Sequence, residues 1–188
     1  LVTYAPVPEY AGKTISAIAS LRKETPAQTL IWLIATADEF SKKNPGVDDV
    51  ETIMGKSMTD EDVASFLASP LVNICSDGSG GGHPRGHGSF TRVLGHYVRE
   101  KKIMSLENAI YKMTALAAEH TGIKNRGLIA PGYFADLVLF DQDKVIDKAT
   151  VKDPTALSEG IIEVWVNGTA VYTHPNAAQS YPGQFIKK

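Results

Sequence analysis

The stretch from Pro70 to Thr91 constrains this chain more than any other: Pro-Leu-Val-Asn-Ile-Cys-Ser-Asp-Gly-Ser-Gly-Gly-Gly-His-Pro-Arg-Gly-His-Gly-Ser-Phe-Thr. Leu71, Val72, Ile74 and Cys75 form a short apolar run of the kind that makes a buried parallel strand. The run stops at Ser76-Asp77-Gly78. A carboxylate therefore follows the strand directly, then comes a loop carrying His83, Arg85 and His87, and Phe90 starts a helical pattern. In α/β folds the C-terminal end of a strand is where catalytic groups collect.

The same residues admit plainer readings. Asp-Gly after a strand is also a turn in which the Asp side chain bonds its own backbone. Gly78 to Gly82 could form a phosphate cradle, but no Lys-Ser/Thr ending follows, and the spacing Gly78-x-Gly80-x-x-His83 lacks the last glycine of a dinucleotide fingerprint. Both nucleotide readings are excluded. His83 and His87 stand four apart, as two ligands on a helix would, yet Pro84, Gly86 and Gly88 oppose a helix there. That pair alone is not expected to hold a metal.

A longer string goes further. Ser76-Asp77-Gly78, His83-Pro84-Arg85 and Gly88-Ser89-Phe90-Thr91-Arg92-Val93-Leu94-Gly95-His96-Tyr97-Val98-Arg99 resemble the C-terminal part of the N-acyl-D-amino-acid deacylases, the D-aminoacylases of the metal-dependent amidohydrolase superfamily. The resemblance begins near Leu1-Val2-Thr3 and continues to Val164-Trp165-Val166-Asn167-Gly168, with a shorter glycine loop between Asp77 and His83 than the family usually has. It implies an α/β fold: the C-terminal part of a TIM-like (β/α) barrel over residues 1–126, then part of a small β-domain and a tail over 127–188.

The resemblance also implies chemistry: hydrolysis of the amide of a small N-acyl-D-amino acid. Asp77 matches the carboxylate that works beside a divalent metal, usually zinc, taking a proton from water and returning it to the leaving amine. Arg85 matches the residue that fixes the substrate carboxylate, a task suited to the planar guanidinium fork. His83 is assigned a part in binding and orienting the substrate. No His-x-His is present, so the zinc ligands are expected mainly upstream of Leu1, with Asp77 beside the metal and the chain inactive alone. Its expected partner is that upstream portion or a second copy of itself. Two alternatives stand: a non-catalytic β/α module that binds or stabilises a partner chain, and a cyclic-amide hydrolase resembling hydantoinases and dihydroorotases.

Composition sets outer bounds. With 188 residues, 43% hydrophobic and 21% charged, the chain can bury one sizeable core. A net charge of −2 gives no support for nucleic acid or an anionic membrane surface, and no apolar run is long enough to span a bilayer. One cysteine, Cys75, excludes an intrachain disulfide framework. The start at Leu1 without methionine suggests a fragment, which leaves localisation open, with the cytoplasm as default.

Elsewhere, helical spacing is expected from Thr14, with Ile15, Ile18 and Leu21 inward. Thr25 as N-cap and Pro26 at the first position open a second helix that turns Leu30, Leu33, Ile34 and Ala37 inward. Thr59 and Asp62 form a capping box, with Val63, Phe66 and Leu67 inward. Ser105 caps a helix running to a break near Gly122. His96 and His120 are expected to be hydrogen-bonding residues on their helices. From Gly127 the pattern turns to β, with an Asn167-Gly168 hairpin. Asp136 and Asp141 read as a bend and a strand end. Tyr181 to Lys188 reads as a tail.

Overall fold

The computed structural model describes residues 1–55, 57–78 and 83–186. It divides into two compact units, Leu1–Ser57 and Met58–Lys188. Four positions of the glycine loop, 79–82, lie outside the described residues, so the expectation about its shape does too. No helix among the described residues is long and apolar enough to cross a membrane.

In the first unit, β1 (Thr3–Tyr4) pairs antiparallel with β2 (Glu51–Thr52). Helices α1 (Ile15–Arg22) and α2 (Pro26–Lys43) start where their caps predict. The Thr14 side chain accepts from the Ala17 amide, and Thr25 with Gln28 makes a full capping box around Pro26. Tyr4, Ile18, Leu33 and Ala37 form the core, and the Tyr4 hydroxyl donates to the Leu33 carbonyl at 2.7 Å. Leu21, Leu30 and Ile34, expected inward, are exposed within this unit. Its small sheet and α1 cover only the Thr29–Leu33–Ala37 stripe of α2, one residue wide at a spacing of four.

In the second unit, α3 (Asp60–Ala68) begins at the Thr59–Asp62 capping box. Leu67 is buried, whereas Phe66, expected inward, is 57% exposed. The strand expected over Leu71–Cys75 does not form. That segment is irregular, with Leu71 80% exposed and only Ile74 buried. A parallel strand needs neighbours on its edges, and among the described residues this segment pairs with none; the Ile74 amide instead donates to the Lys112 carbonyl at 3.2 Å.

The next helix differs in the opposite sense. Residues 85–89, expected as loop, open α4 (Arg85–Arg92), which runs into a π-helical segment, Val93–Glu100. Proline at a helix start loses no intrahelical bond, so Pro84 opens the helix and its carbonyl accepts from the His87 and Gly88 amides. The glycines serve a close approach. A Cβ on Gly88 would meet the Asp147 Cβ at 3.0 Å, and one on Gly95 the Ile146 Cδ1 at 2.4 Å and the Val145 carbonyl at 2.5 Å. The connection after Asp141 lies in this groove. It is held there by Arg99, which donates to the Gln142 and Val145 carbonyls at 3.1 and 2.6 Å, and by an Arg92–Asp147 ion pair at 3.3 Å.

Ser105 caps α5 (Leu106–Met113), and the helix expected to run on to Gly122 instead breaks at Thr114 before α6 (Ala115–Thr121). Strands β3 (Leu137–Phe140), β4 (Ile161–Val166), β5 (Thr169–Thr173) and β6 (Asn176–Ala177) form an antiparallel sheet in sequence order, with the predicted Asn167-Gly168 turn at positive φ between β4 and β5. Asp136 serves the bend before β3: it pairs with Arg126 and accepts from the Asn167 amide at 2.8 Å. Leu67, Ile74, Val93, Leu94, Tyr97, Ala109 and Val145 make one buried cluster, against which Phe140 and Ile161 of the sheet pack.

Gly95→Ala should destabilise the chain by about 1–3 kcal/mol, the usual range for overpacking a filled site, because a backbone carbonyl cannot give way as a flexible side-chain end can. Denaturant unfolding reads this directly. An unchanged midpoint would mean that the 145–146 connection is not seated on the helix.

Candidate active site

Asp77 and Arg85 leave the buried cluster from opposite directions. Ile74 anchors the chain three residues before Asp77, and Val93 anchors it eight residues after Arg85. The two side chains meet. Arg85 Nη2 lies 2.9 Å from Asp77 Oδ2, and Arg85 Nε donates to the Asp77 carbonyl at 2.9 Å. Asp77 has φ +45°, a left-handed conformation that Asp and Asn adopt more readily than most residues. Ser76 Oγ accepts from the Gly78 amide at 3.2 Å, which turns the chain at that point.

His83 joins the group through the backbone. Its Nδ1 accepts from the Arg85 amide at 3.1 Å, so the proton of the neutral ring sits on Nε2. The ring thereby satisfies one of the free amides at the start of α4. It meets Arg85 at the main chain rather than at the guanidinium. His87, on α4, has a backbone role in the carbonyl that accepts from Ser158 Oγ at 3.2 Å. His96 bonds Glu100 at 2.9 Å, as its expected helical hydrogen-bonding role requires.

The Asp77 carboxylate is 75% exposed and the Arg85 side chain 45%. An exposed pair of this kind contributes at most about 1 kcal/mol. The contact therefore fixes a resting geometry without locking it, and a second carboxylate could take the guanidinium at little cost. Beside the pair, Ser76 and Arg85 share a cavity of about 930 Å³ whose apolar walls include Leu94, Ile110, Met113 and Phe140.

Among the described residues, no group of three or more His, Cys, Asp or Glu side chains is placed to hold a metal. A zinc site draws at least three protein ligands. Asp77 offers one carboxylate, with one oxygen already on Arg85. These residues do not by themselves fit the metal.

Lys112 is a contributor that the sequence reading missed. It is 5% exposed, and its ammonium donates to the carbonyls of Leu67, at 2.8 Å, Val72, at 3.2 Å, and Ser69. Burial pushes its pKa below the ordinary lysine value. The available signal was its place three residues after Ala109, beside the apolar stripe of α5.

The profile of the amidohydrolase family matches residues 4–172. The chain is 46% identical over 165 residues to the N-acyl-D-aspartate deacylase of Alcaligenes xylosoxydans xylosoxydans, covering 81% of this chain and 33% of the relative. A crystal structure of D-aminoacylase superposes with a TM-score of 0.71 at 35% identity, over 97% of this chain and 35% of that one. The N-acyl-D-glutamate deacylase of Bordetella bronchiseptica, solved with zinc and a phosphonate mimic of the tetrahedral intermediate, gives 0.70 at 34% identity over 94% and 35%. The chain thus spans about a third of the length of the relatives it matches. With mixed helices and strands arranged as in those structures, it belongs to the amidohydrolase family, among the D-aminoacylases.

Proposed function

We propose that this chain supplies the proton shuttle and the carboxylate anchor of a metal-dependent N-acyl-D-amino-acid deacylase, as the C-terminal part of its TIM-like (β/α) barrel with part of the small β-domain. The observation that carries this reading is the Asp77–Arg85 contact: a proton acceptor and a carboxylate-binding fork within hydrogen-bond reach of each other, eight positions apart in the chain. Zinc belongs to the reading as the metal of a relative, held mainly by ligands that the described residues do not supply.

Asp77 accepts a proton from the attacking water as its oxygen bonds the amide carbon, and returns that proton to the amide nitrogen as the C–N bond breaks. An amine leaves poorly unless protonated, so a single carboxylate serving both half-reactions is what this hydrolysis needs. The products are a carboxylate and a free D-amino acid. Arg85 binds the substrate's α-carboxylate through two charge-assisted bonds. It must first leave Asp77, which frees that carboxylate to work as a base. His83 holds the start of α4, and so the origin of the Arg85 side chain.

The apolar cavity beside the pair supports a further part of the reading: the remainder of a longer protein covers it. Light scattering and a hydrophobic dye applied to the 188-residue chain test this, with dye binding expected. A monomer that unfolds cooperatively and binds no dye would contradict the barrel-fragment reading, and a dimer would make a second copy the cover.

Asp77→Asn in the zinc-loaded full-length protein should lower turnover by roughly 10²–10⁴-fold with metal content unchanged. Asn keeps the size and much of the hydrogen bonding but cannot accept the proton. Near-normal kcat at full zinc occupancy would remove Asp77 from the mechanism. Arg85→Ala should weaken kcat/KM for N-acetyl-D-amino acids by about 2–5 kcal/mol and do far less to an N-acyl amine without the carboxylate. Equal losses on both substrates would mean that Arg85 holds the loop rather than the ligand.

A further inference from the structure

We propose that Lys112 is a positioning residue for this reaction, acting through Asp77 by gripping the segment that leads to it. The inference rests on the reading of Asp77 as proton shuttle. Its grounds are geometric: the ammonium donates to the carbonyls of Leu67, Ser69 and Val72, while the Lys112 carbonyl accepts from the Ile74 amide. One residue therefore holds an eight-position stretch of backbone at four points, and Asp77 follows three residues later.

The stretch needs such a grip. It forms no ladder with another strand among the described residues, so its carbonyls would otherwise lack the partners a sheet provides. A methionine or leucine at position 112 would fill the same space without the ammonium's desolvation. What an ammonium provides is three donors diverging from one nitrogen, enough for three carbonyls that converge on it. Among the described residues no carboxylate pairs with Lys112, so its bonds all go to this backbone.

The location separates a positioning role from a purely structural one. The end of α3 has its own closure, in which the Ser69 amide donates to the Phe66 carbonyl. Lys112 also satisfies the Leu67 carbonyl in that last turn, and beyond the helix it sets the path past Val72 and Ile74 towards Ser76 and Asp77. Arg85 approaches Asp77 from α4, whose place is set separately by the groove that receives the 145–149 connection. Loosening Lys112 thus moves the carboxylate relative to the guanidinium and leaves the guanidinium's own support in place.

The test is a double-mutant cycle in the zinc-loaded full-length protein, with Lys112→Met, Asp77→Asn and the double variant assayed on an N-acetyl-D-amino acid. Lys112→Met alone should lower kcat by roughly 10²-fold, the scale of a misplacement of about 1 Å in a catalytic group, with KM and zinc content little changed. In the Asp77→Asn background the same substitution should bring no further loss. Equal fold losses in both backgrounds would overturn the role, as would a rise in KM at constant kcat. If Lys112→Met does not fold, Lys112→Gln, which loses the charge and a donor but keeps a polar end, takes its place in the cycle with the same expected outcome. Failure of both to give folded, zinc-loaded protein would show that Lys112 only supports the core. Near-normal turnover of Asp77→Asn by itself would sink the proton-shuttle reading and this inference with it.

Discussion

Ile74 and Val93 lie in one buried cluster, and the site depends on that shared anchorage. Between them the chain leaves the core, carries Asp77 outward, and returns along α4 with Arg85 at the helix start. Neither side chain is buried, and their ion pair is worth too little to organise a loop alone. The apolar cluster sets the two points of departure, and the ion pair joins the side chains carried from them. This division lets a weak contact have a defined geometry and still yield to a ligand.

Two polar supports keep the anchorage in place, each where an apolar residue could not serve. Lys112 satisfies carbonyls along the run-in to Asp77, and Arg99 satisfies those of the 142–145 connection that lies on the π-helical segment. Glycine in a helix interior costs about 1 kcal/mol relative to alanine, and α4 with its continuation carries Gly86, Gly88 and Gly95. At Gly88 and Gly95 that cost is offset by contact that a side chain would block. The low-propensity helix is therefore held by tertiary packing, and the position of Arg85 inherits its precision from residues far along the chain.

Local signals in the sequence translated well. The caps at Thr25, Thr59 and Ser105 and the Asn167-Gly168 turn lie where short-range hydrogen bonding places them. Long-range effects decided the rest. Leu71–Cys75 has the composition of a buried strand but no partner strand among the described residues, and α4 forms through glycines because a groove for another segment was worth more than propensity. The sequence singled out Asp77 and Arg85 as candidates through their motifs. Their direct contact was not legible, since it joins side chains eight positions apart in the chain, and neither was Lys112, whose carbonyl partners lie 40 to 45 positions away.

The central claim is that Arg85 serves two carboxylates in turn, that of Asp77 at rest and that of the substrate during reaction. The most direct measurement is a crystal structure of the zinc-loaded full-length protein with a phosphonate mimic of the tetrahedral intermediate that keeps the α-carboxylate. The account predicts the Arg85 guanidinium on the ligand's carboxylate at hydrogen-bond distance, about 2.7–2.9 Å, with the Asp77 carboxylate turned to the phosphonate. Arg85 still paired with Asp77, and another residue on the ligand's carboxylate, would contradict it.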